Sequence, residues 1–577
     1  MNVDFRRPAA IAVLLAWSVS TSAQTPSPSS DATRQDALVR EAVARYEASR
    51  QNLEPATDGG QRPAGTPAPG GIREVRLDEV VQLALEKNLD IAVERLNPQS
   101  VDLQIAQIKN TYLPVATSSV GQRSNFQLPR DQLQGGQRVS IGTTTYNAAL
   151  AQNVPFYGGT FAMTWNNNKQ DSSSTFNTFN PTYTTGLTMN YVQPLLRGLL
   201  IDLTRQQLQV TQINREISEE TLRATITTTM ANVRNAYWDL VFAQSAVDVA
   251  TNAVSLADKL VEDNKARVEV GTLAPLDIVQ AQAEAATRRQ TLAAAEATSQ
   301  TAELALKRFL VSGTDDPLWR QQLQPVELPS LQPPPTDIED AVRRGLERRT
   351  DLITARKNLE SSDISLKYFK NNTLPEVDLV ASYGAQGIGG TSIQRSGLGG
   401  AITNTIPGGY NDALRLLTNR DYPNWNFQFN VSYNLWGSAA EAQYARGRVQ
   451  RQQSQARLRA LELTVATDIT NAAINVTSNV KRVEAAIAAR ELAEKRLEAE
   501  QSKFEVGMST NFFVVQAQRD LRDAQNIELR ALADYRKSLV TFERAQEAPA
   551  SVGGGGGGTV GTGTVGGATT GPGGGGQ

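Results

Sequence analysis

The sequence has no cysteine and no histidine in 577 residues. That excludes disulfides, thiolate or imidazole catalysis, zinc sites of the usual ligand types and haem held by these side chains. It also excludes lipid anchoring through an N-terminal Cys. Charge of one sign is equally scarce, since 57 Lys and Arg against 59 Asp and Glu leave a net charge of −2. With no basic excess to neutralise phosphates, a nucleic-acid partner is not expected. Long apolar runs are missing apart from Ala9 to Val19, which follows Arg6 and Arg7 and precedes Thr21-Ser22-Ala23. This reads as a secretory signal over residues 1–23, too short for a membrane anchor, which needs about 20 apolar residues. With no later run long enough for a transmembrane helix, a mature chain in a bilayer must cross as a closed β-barrel, the other structure that satisfies its backbone in lipid. No glycine loop of the phosphate-binding kind precedes a helix, and the carboxylates lie on helix faces suited to solvent. Neither an enzyme nor a bound cofactor or metal is expected.

What is present is a repeat. Glu269 to Gln282 and Glu505 to Gln518 share seven of fourteen residues, where ordinary usage gives roughly one by chance. Each segment ends a long heptad-patterned helix at a glycine, Gly271 or Gly507, and opens another helix a few residues later. Glycine reaches the left-handed conformation that ends helices without steric penalty. Pro275 suits the first turn of the next helix, and Ser509 or Thr510 can cap its counterpart. Two equivalent helical hairpins follow, with tips 236 residues apart.

A second correspondence runs at an offset of 261: Val81, Leu85, Glu86, Asp90, Lys109, Asn110, Leu113 and Pro114 match Val342, Leu346, Glu347, Asp351, Lys370, Asn371, Leu374 and Pro375. The chain reads as an internal duplication whose second copy is 25 residues shorter between these landmarks. The expected divisions are the signal at 1–23, an N-terminal helix (Asp31 to Arg50) and Pro/Gly linker within 24–71, and a first repeat at 72–327. A Pro-rich connector at 328–336, a second repeat at 337–548 and a Gly-rich disordered tail at 549–577 complete the chain. Leu77 to Thr111 is expected as helix. Leu240, Val247, Val254, Val261 and Val268 mark a heptad in a helix from about Arg205 to Val268, roughly 95 Å long. Ile469, Val476, Val483, Leu497 and Phe504 mark its counterpart, interrupted by Arg490.

Strands fall between the two landmarks of each copy. Trp425, Phe427, Phe429, Val431, Tyr433 and Leu435 alternate with polar residues, as in a tilted transmembrane strand with a lipid-facing side. Leu187 to Tyr191 and Val377 to Tyr383 alternate similarly, and Val115 to Gly121 more weakly. Ser124 to Thr185 and Ala385 to Asn424 read as long polar loops. The first contains a further strand-like hairpin (143–168) around Tyr157-Gly158-Gly159, and the sequence does not decide whether it enters the membrane. The expected fold is therefore mostly α with a β-barrel portion, each protomer giving long helical hairpins and four transmembrane strands. Four strands cannot close a barrel, so subunits must share one. Two copies give eight strands with little lumen, and three give a twelve-stranded channel.

The paired tips, the Leu77, Glu79, Ala84, Leu85 and Asn88 pattern and the Gln193-Pro194-Leu195 strand end resemble the outer membrane efflux protein (TolC-like) family over about Arg76 to Ala545. The resemblance implies a homotrimeric outer membrane channel with a large periplasmic α-barrel. That channel would dock on a periplasmic adaptor, which engages an inner membrane pump. It implies adaptor contacts at Val270, Gly271, Thr272, Leu273, Val506, Gly507, Met508 and Ser509. The family's gate acid falls on Asp277 and its aromatic on Phe504. Ser509 stands where a base would be, and Phe513 and Gln516 where some members carry acidic rings, so apolar closure by Phe512 or Phe513 is expected instead. A type I protein secretion channel is the alternative within the class. A pore-free periplasmic coiled-coil scaffold is the alternative outside it, and it would have no use for the strands.

Overall fold

The computed structural model describes residues 71–127, 138–174, 177–271, 274–327, 337–397, 400–506 and 508–549. The expected signal, the N-terminal helix and linker, the Pro-rich connector and the Gly-rich tail lie outside the described residues, save for single residues at their edges. Each of the two halves is a helix pair, a strand region and a long helical hairpin, and the strand regions differ. The first runs β1 (Ile72–Val75), α1 (Leu77–Lys87), α2 (Leu89–Asn110), β2 (Val115–Gln127), β3 (Val139–Asn153), β4 (Thr160–Ser172), β5 (Phe179–Pro194), α3 (Leu203–Glu269) and α4 (Pro275–Leu310). After β6 (Gln322–Pro325), the second runs α5 (Ile338–Arg348), α6 (Thr350–Asn372), β7 (Glu376–Arg395), β8 (Ile402–Ile406), α7 (Tyr410–Asn419), β9 (Pro423–Ser432), α8 (Ala439–Glu505) and α9 (Asn511–Glu547).

Local chemistry sets these boundaries. The expected single helix from Leu77 to Thr111 is two helices, because Asn88 takes an extended backbone (φ −64°, ψ 126°) and its side chain accepts the Asp90 and Ile91 amides of α2. An Asn that satisfies the orphan amides of a new helix ends the old one. Arg349 makes the same break between α5 and α6. Helices α3 and α8 are both 67 residues long, about 100 Å at 1.5 Å per residue. Both are side-chain capped, by Asp202 accepting from Arg205 N at 2.7 Å and by Ser438 accepting from Glu441 N at 3.1 Å.

The strands form one antiparallel sheet in the order β2-β3-β4-β5-β7-β8, with β9 also pairing with β7. The expectation of four strands is corrected here: six long strands share the sheet, and the hairpin noted at 143–168 is β3–β4, lying between β2 and β5. The long-loop expectation fails as well. β7 extends for 20 residues, and α7 packs on β5 and β7. Gly387 and Gly389 make that approach possible, since a Cβ on either would lie 1.9 Å from Ala413 O or 2.5 Å from Gly409 O. The strand at Trp425 stops at Ser432, before Tyr433 and Leu435, because the chain must turn at Gly437 (φ 66°) into the cap of α8.

The main core gathers where β1 and β6 pair in parallel beside α1, α3 and α4. Fully buried Tyr237 donates its hydroxyl to Val75 O at 3.4 Å, and Leu240, Leu306 and Leu310 surround it. One 18-residue window of α3 is apolar enough by composition to cross a membrane, which corrects the expectation that no such helix exists. Tyr237, Trp238, Leu240 and Val241 of α3 instead serve this core. The valine heptad of α3 is only half-buried beyond Leu240; the buried row is Ala243, Ala250, Ala257 and Asn264. Alanines at the seam let α4 approach closely and bury Ala281 and Ala285. In α8 the expected row is the buried one, through Ile469, Val476, Val483, Leu497 and Phe504. Arg490 interrupts it, and its charge is met by Glu494 at 2.7 Å and Glu528 of α9 at 2.6 Å.

Candidate functional site

The helices leading into the two hairpin tips end alike. Val270 (φ −86°, ψ 5°) and Val506 (φ −90°, ψ 5°) end α3 and α8 with the same backbone. Gly271 turns left-handed (φ 75°), its amide bonded to Val268 O at 2.9 Å, as a helix-terminating glycine does. Pro275 occupies the first turn of α4 and Thr510 the cap position of α9. Thr272, Leu273 and Gly507 lie outside the described residues. Around them the tips present apolar groups to solvent: Val270 is 74%, Val506 70% and Met508 80% exposed. Ser509 is turned inward. Its hydroxyl donates to Glu500 at 2.8 Å, and Lys503 binds the same carboxylate at 2.7 Å. The Lys503 and Ser509 hydrogen bonds hold the Glu500 carboxyl below its usual range.

Two contacts tie one hairpin to the other behind the tips. The Arg267 guanidinium of α3 lies 4.5 Å over the Phe504 ring of α8. Arg519 of α9 pairs with Glu284 of α4, which also binds Arg288 one turn along its own helix; Glu284 and Arg288 are both buried. The expected gate set is brought only partly together. Phe504 is buried under Arg267, whereas half-buried Asp277 sits in the first turn of α4, where a carboxylate is favoured by the helix dipole. Phe512 and Phe513 meet edge to face at 5.6 Å and remain largely exposed. Gln516 donates to Asp520 of its own helix at 2.8 Å, and Asp520 pairs with Arg496. The sequence reading missed Arg267, Glu284 and Arg519. Their partners lie on the other hairpin, more than 230 residues away along the chain. Asn264, in the α3 seam less than two turns before the tip, is fully buried, and neither side-chain polar atom has a hydrogen-bond partner among the described residues.

At the other end, Trp425, Phe427, Phe429 and Val431 project from one face of β9, opposite Tyr383, Ala381, Leu379 and Val377 of β7. Leu187, Met189 and Tyr191 of β5 fall on that face too. The reverse face carries Asn424, Asn426, Gln428 and Asn430, with Ser382, Thr188 and Asn190 beside them. One face is thus fit for hydrocarbon and the other for water.

This sheet, carrying two equal rods that end in matched tips, has counterparts. The outer membrane efflux protein family matches the sequence over residues 133–311 and 341–546, together about two thirds of it. The chain belongs to the outer membrane efflux protein family. Among solved structures, the outer-membrane channel OprN superposes with a TM-score of 0.58 at 15% identity, covering 82% of this chain and 90% of OprN. CusC, described for its folding and transmembrane channel formation, gives 0.59 at 13% identity, covering 82% and 92%. The Campylobacter jejuni CmeC outer membrane channel gives 0.57 at 16%, covering 82% and 85%. At such identities these likenesses establish the fold. No individually curated protein matches the sequence. The efflux family is a family of outer membrane channels and not of enzymes.

Proposed function

We propose that three copies of this chain form an outer membrane conduit that receives solutes from a periplasmic adaptor and inner membrane pump and releases them outside. The observation that carries this reading is the union in one chain of a sheet with one lipid-compatible and one hydrophilic face and two 67-residue rods whose end-cap residues, Val270 and Val506, share nearly the same backbone angles. The strand count alone no longer selects three subunits, because six strands in a dimer already make twelve. The threefold assembly is supported by family membership. The adaptor contacts are the two tips, Val270, Gly271, Thr272 and Leu273 on one and Val506, Gly507, Met508 and Ser509 on the other, of which Val270, Val506 and Met508 stand exposed. Behind them Phe512 and Phe513 narrow the entrance by apolar packing, and the Arg267–Phe504 and Glu284–Arg519 ties hold the hairpins together.

Native mass spectrometry of detergent-extracted protein, followed by planar-bilayer recording, tests the reading. A trimer that conducts, and conducts more as Phe513→Ala, is the expected result. A detergent-independent soluble monomer would leave the periplasmic scaffold as the better description. The transported solute is set mainly by the inner membrane partner, so co-purification with a pump of known substrate separates small-molecule efflux from protein secretion.

A further inference from the structure

The β3–β4 hairpin reaches the same depth as the strands on either side of it. Val115, where β2 begins, pairs with Ala151, and Thr160, where β4 begins, pairs with Val192 near the end of β5. The turn between them closes with Val154 N on Gly159 O at 2.7 Å. It docks on the helical end of the sheet: Gln193 donates to Tyr157 O at 2.8 Å, Asn153 to Thr111 O at 3.1 Å and Gln152 to Tyr112 O at 3.3 Å. A Cβ on Gly159 would lie 2.7 Å from the Tyr191 hydroxyl, so the turn is fitted to its seat. An ornament on the outer surface would turn back far from α2 and α3. This hairpin turns against them.

Its two faces also continue those of the sheet. Register places Ala148 and Leu150 of β3 and Phe161, Met163 and Trp165 of β4 in line with Leu187, Met189 and Tyr191, on the face of Trp425 to Val431. The alternate residues Ala149, Ala162, Thr164 and Asn166 fall with Thr188, Asn190 and Asn426. On this face of β4 Trp165 is followed by Asn167, buried under α7 with its Oδ1 accepting from Tyr410 and Thr185, and the first charge is Lys169, nine residues from Thr160. At about 3.3 Å per residue and a tilt near 40°, this is roughly 23 Å of height, close to the apolar band of a membrane barrel. Just beneath that level Tyr146, Tyr183 and Tyr410 cluster, with ring centroids 5.8 and 6.3 Å apart, as aromatic girdles do at a bilayer interface.

We propose that β3–β4 crosses the outer membrane, so that each subunit supplies six barrel strands, eighteen in the trimer. The strand count per subunit stands on the sheet itself; the total rests on the threefold assembly proposed above. With strands about 4.8 Å apart and tilted near 40°, the barrel radius rises from roughly 12 Å for twelve strands to roughly 18 Å for eighteen, about twice the cross-section. The water-facing rows of β3, β4, β5 and β9 carry no charge, whereas Arg123 of β2 and Glu376 and Asp378 of β7 stand on the same face.

The absence of native cysteine allows a direct test in the full-length protein in lipid nanodiscs. Leu150→Cys and Met163→Cys are expected to react with a membrane-impermeant maleimide roughly tenfold or more slowly than Ala149→Cys and Thr164→Cys, because hydrocarbon disfavours the thiolate. Phe429→Cys and Gln428→Cys calibrate the same contrast on β9. Equal reactivity at all four hairpin positions, or equal protection at all four, overturns the proposal while β9 keeps its contrast. Loss of the contrast on β9 as well overturns the channel reading instead. Electron microscopy of the trimer then reads the barrel diameter, and a twelve-strand width overturns the count of eighteen.

Discussion

The two halves share a helix pair and a long helical hairpin but fill their cores differently. Tyr237 and Trp238 of α3 stand where α8 has Ala473 and Ile474, at the tip offset of 236. Tyr237 is fully buried among β1, α1 and α4, whereas Ile474 is 55% exposed. The second half instead divides its core into two smaller clusters joined by Phe542 of α9, which occupies the position of Leu306. Where the halves agree, they do so by exchanging volume. Ala84 and Val233 of the first core correspond to Gly345 and Ile469 of the second, so a methyl group has moved from one helix to its neighbour. What is preserved between the halves is the filling of space, not the side chain at each position.

That comparison yields a graded set of tests. Tyr237→Ala, which makes the first half resemble the second at its deepest point, should cost about 3–5 kcal/mol in denaturant unfolding. Ala473→Gly in α8 should cost far less, near the helix-propensity difference of about 1 kcal/mol. Gly345→Ala brings a Cβ within 2.2 Å of Ile469 Cδ1 and should cost about 1–3 kcal/mol. Adding Ile469→Val recreates the Ala84–Val233 pair and should recover most of the loss. Additive losses in the double variant would show that the exchange of volume is not what matches the halves.

Arg519→Gln removes a tie between the hairpins while Arg288 still neutralises Glu284. Because Arg519 is 47% exposed, the effect is held to about 0.5–1 kcal/mol, a two- to fivefold rise in open probability in bilayer recordings. The smallest effect concerns pH. Glu500, whose folded carboxyl titrates below its unfolded value, steadies the second tip above the unfolded range near pH 4.3. That contribution disappears as pH falls through the lower folded value. Amide protection at Met508 and Ser509, taken relative to the intrinsic exchange rate at each pH, should fall under acid, and Glu500→Gln should flatten that response.

The tips were legible in the sequence because helix ends are local chemistry: a left-handed glycine and a first-turn proline act on their own neighbours. The aromatic face of β9 was legible for a similar reason, since Trp425 to Val431 alternate large apolar with amide side chains. β3 was harder to read because Ala148, Ala149 and Ala151 put small residues on both faces and erase the alternation. The glycines from Gly384 to Gly390 resembled a loop, yet they are strand residues, and two of them, Gly387 and Gly389, lack a side chain where α7 lies against the sheet. The Glu284–Arg519 pair could not be foreseen, because only the folded chain brings these residues of α4 and α9 together.

Asn264 gives the first hairpin a built-in restlessness. An amide shut away from water with nothing to bond costs about 1–3 kcal/mol, and this debt sits just above the point where the rods would have to part. In the channel proposed above, splaying that let solvent reach this amide would recover the same amount, which makes parting of the helices easier at this level than a fully bonded seam would.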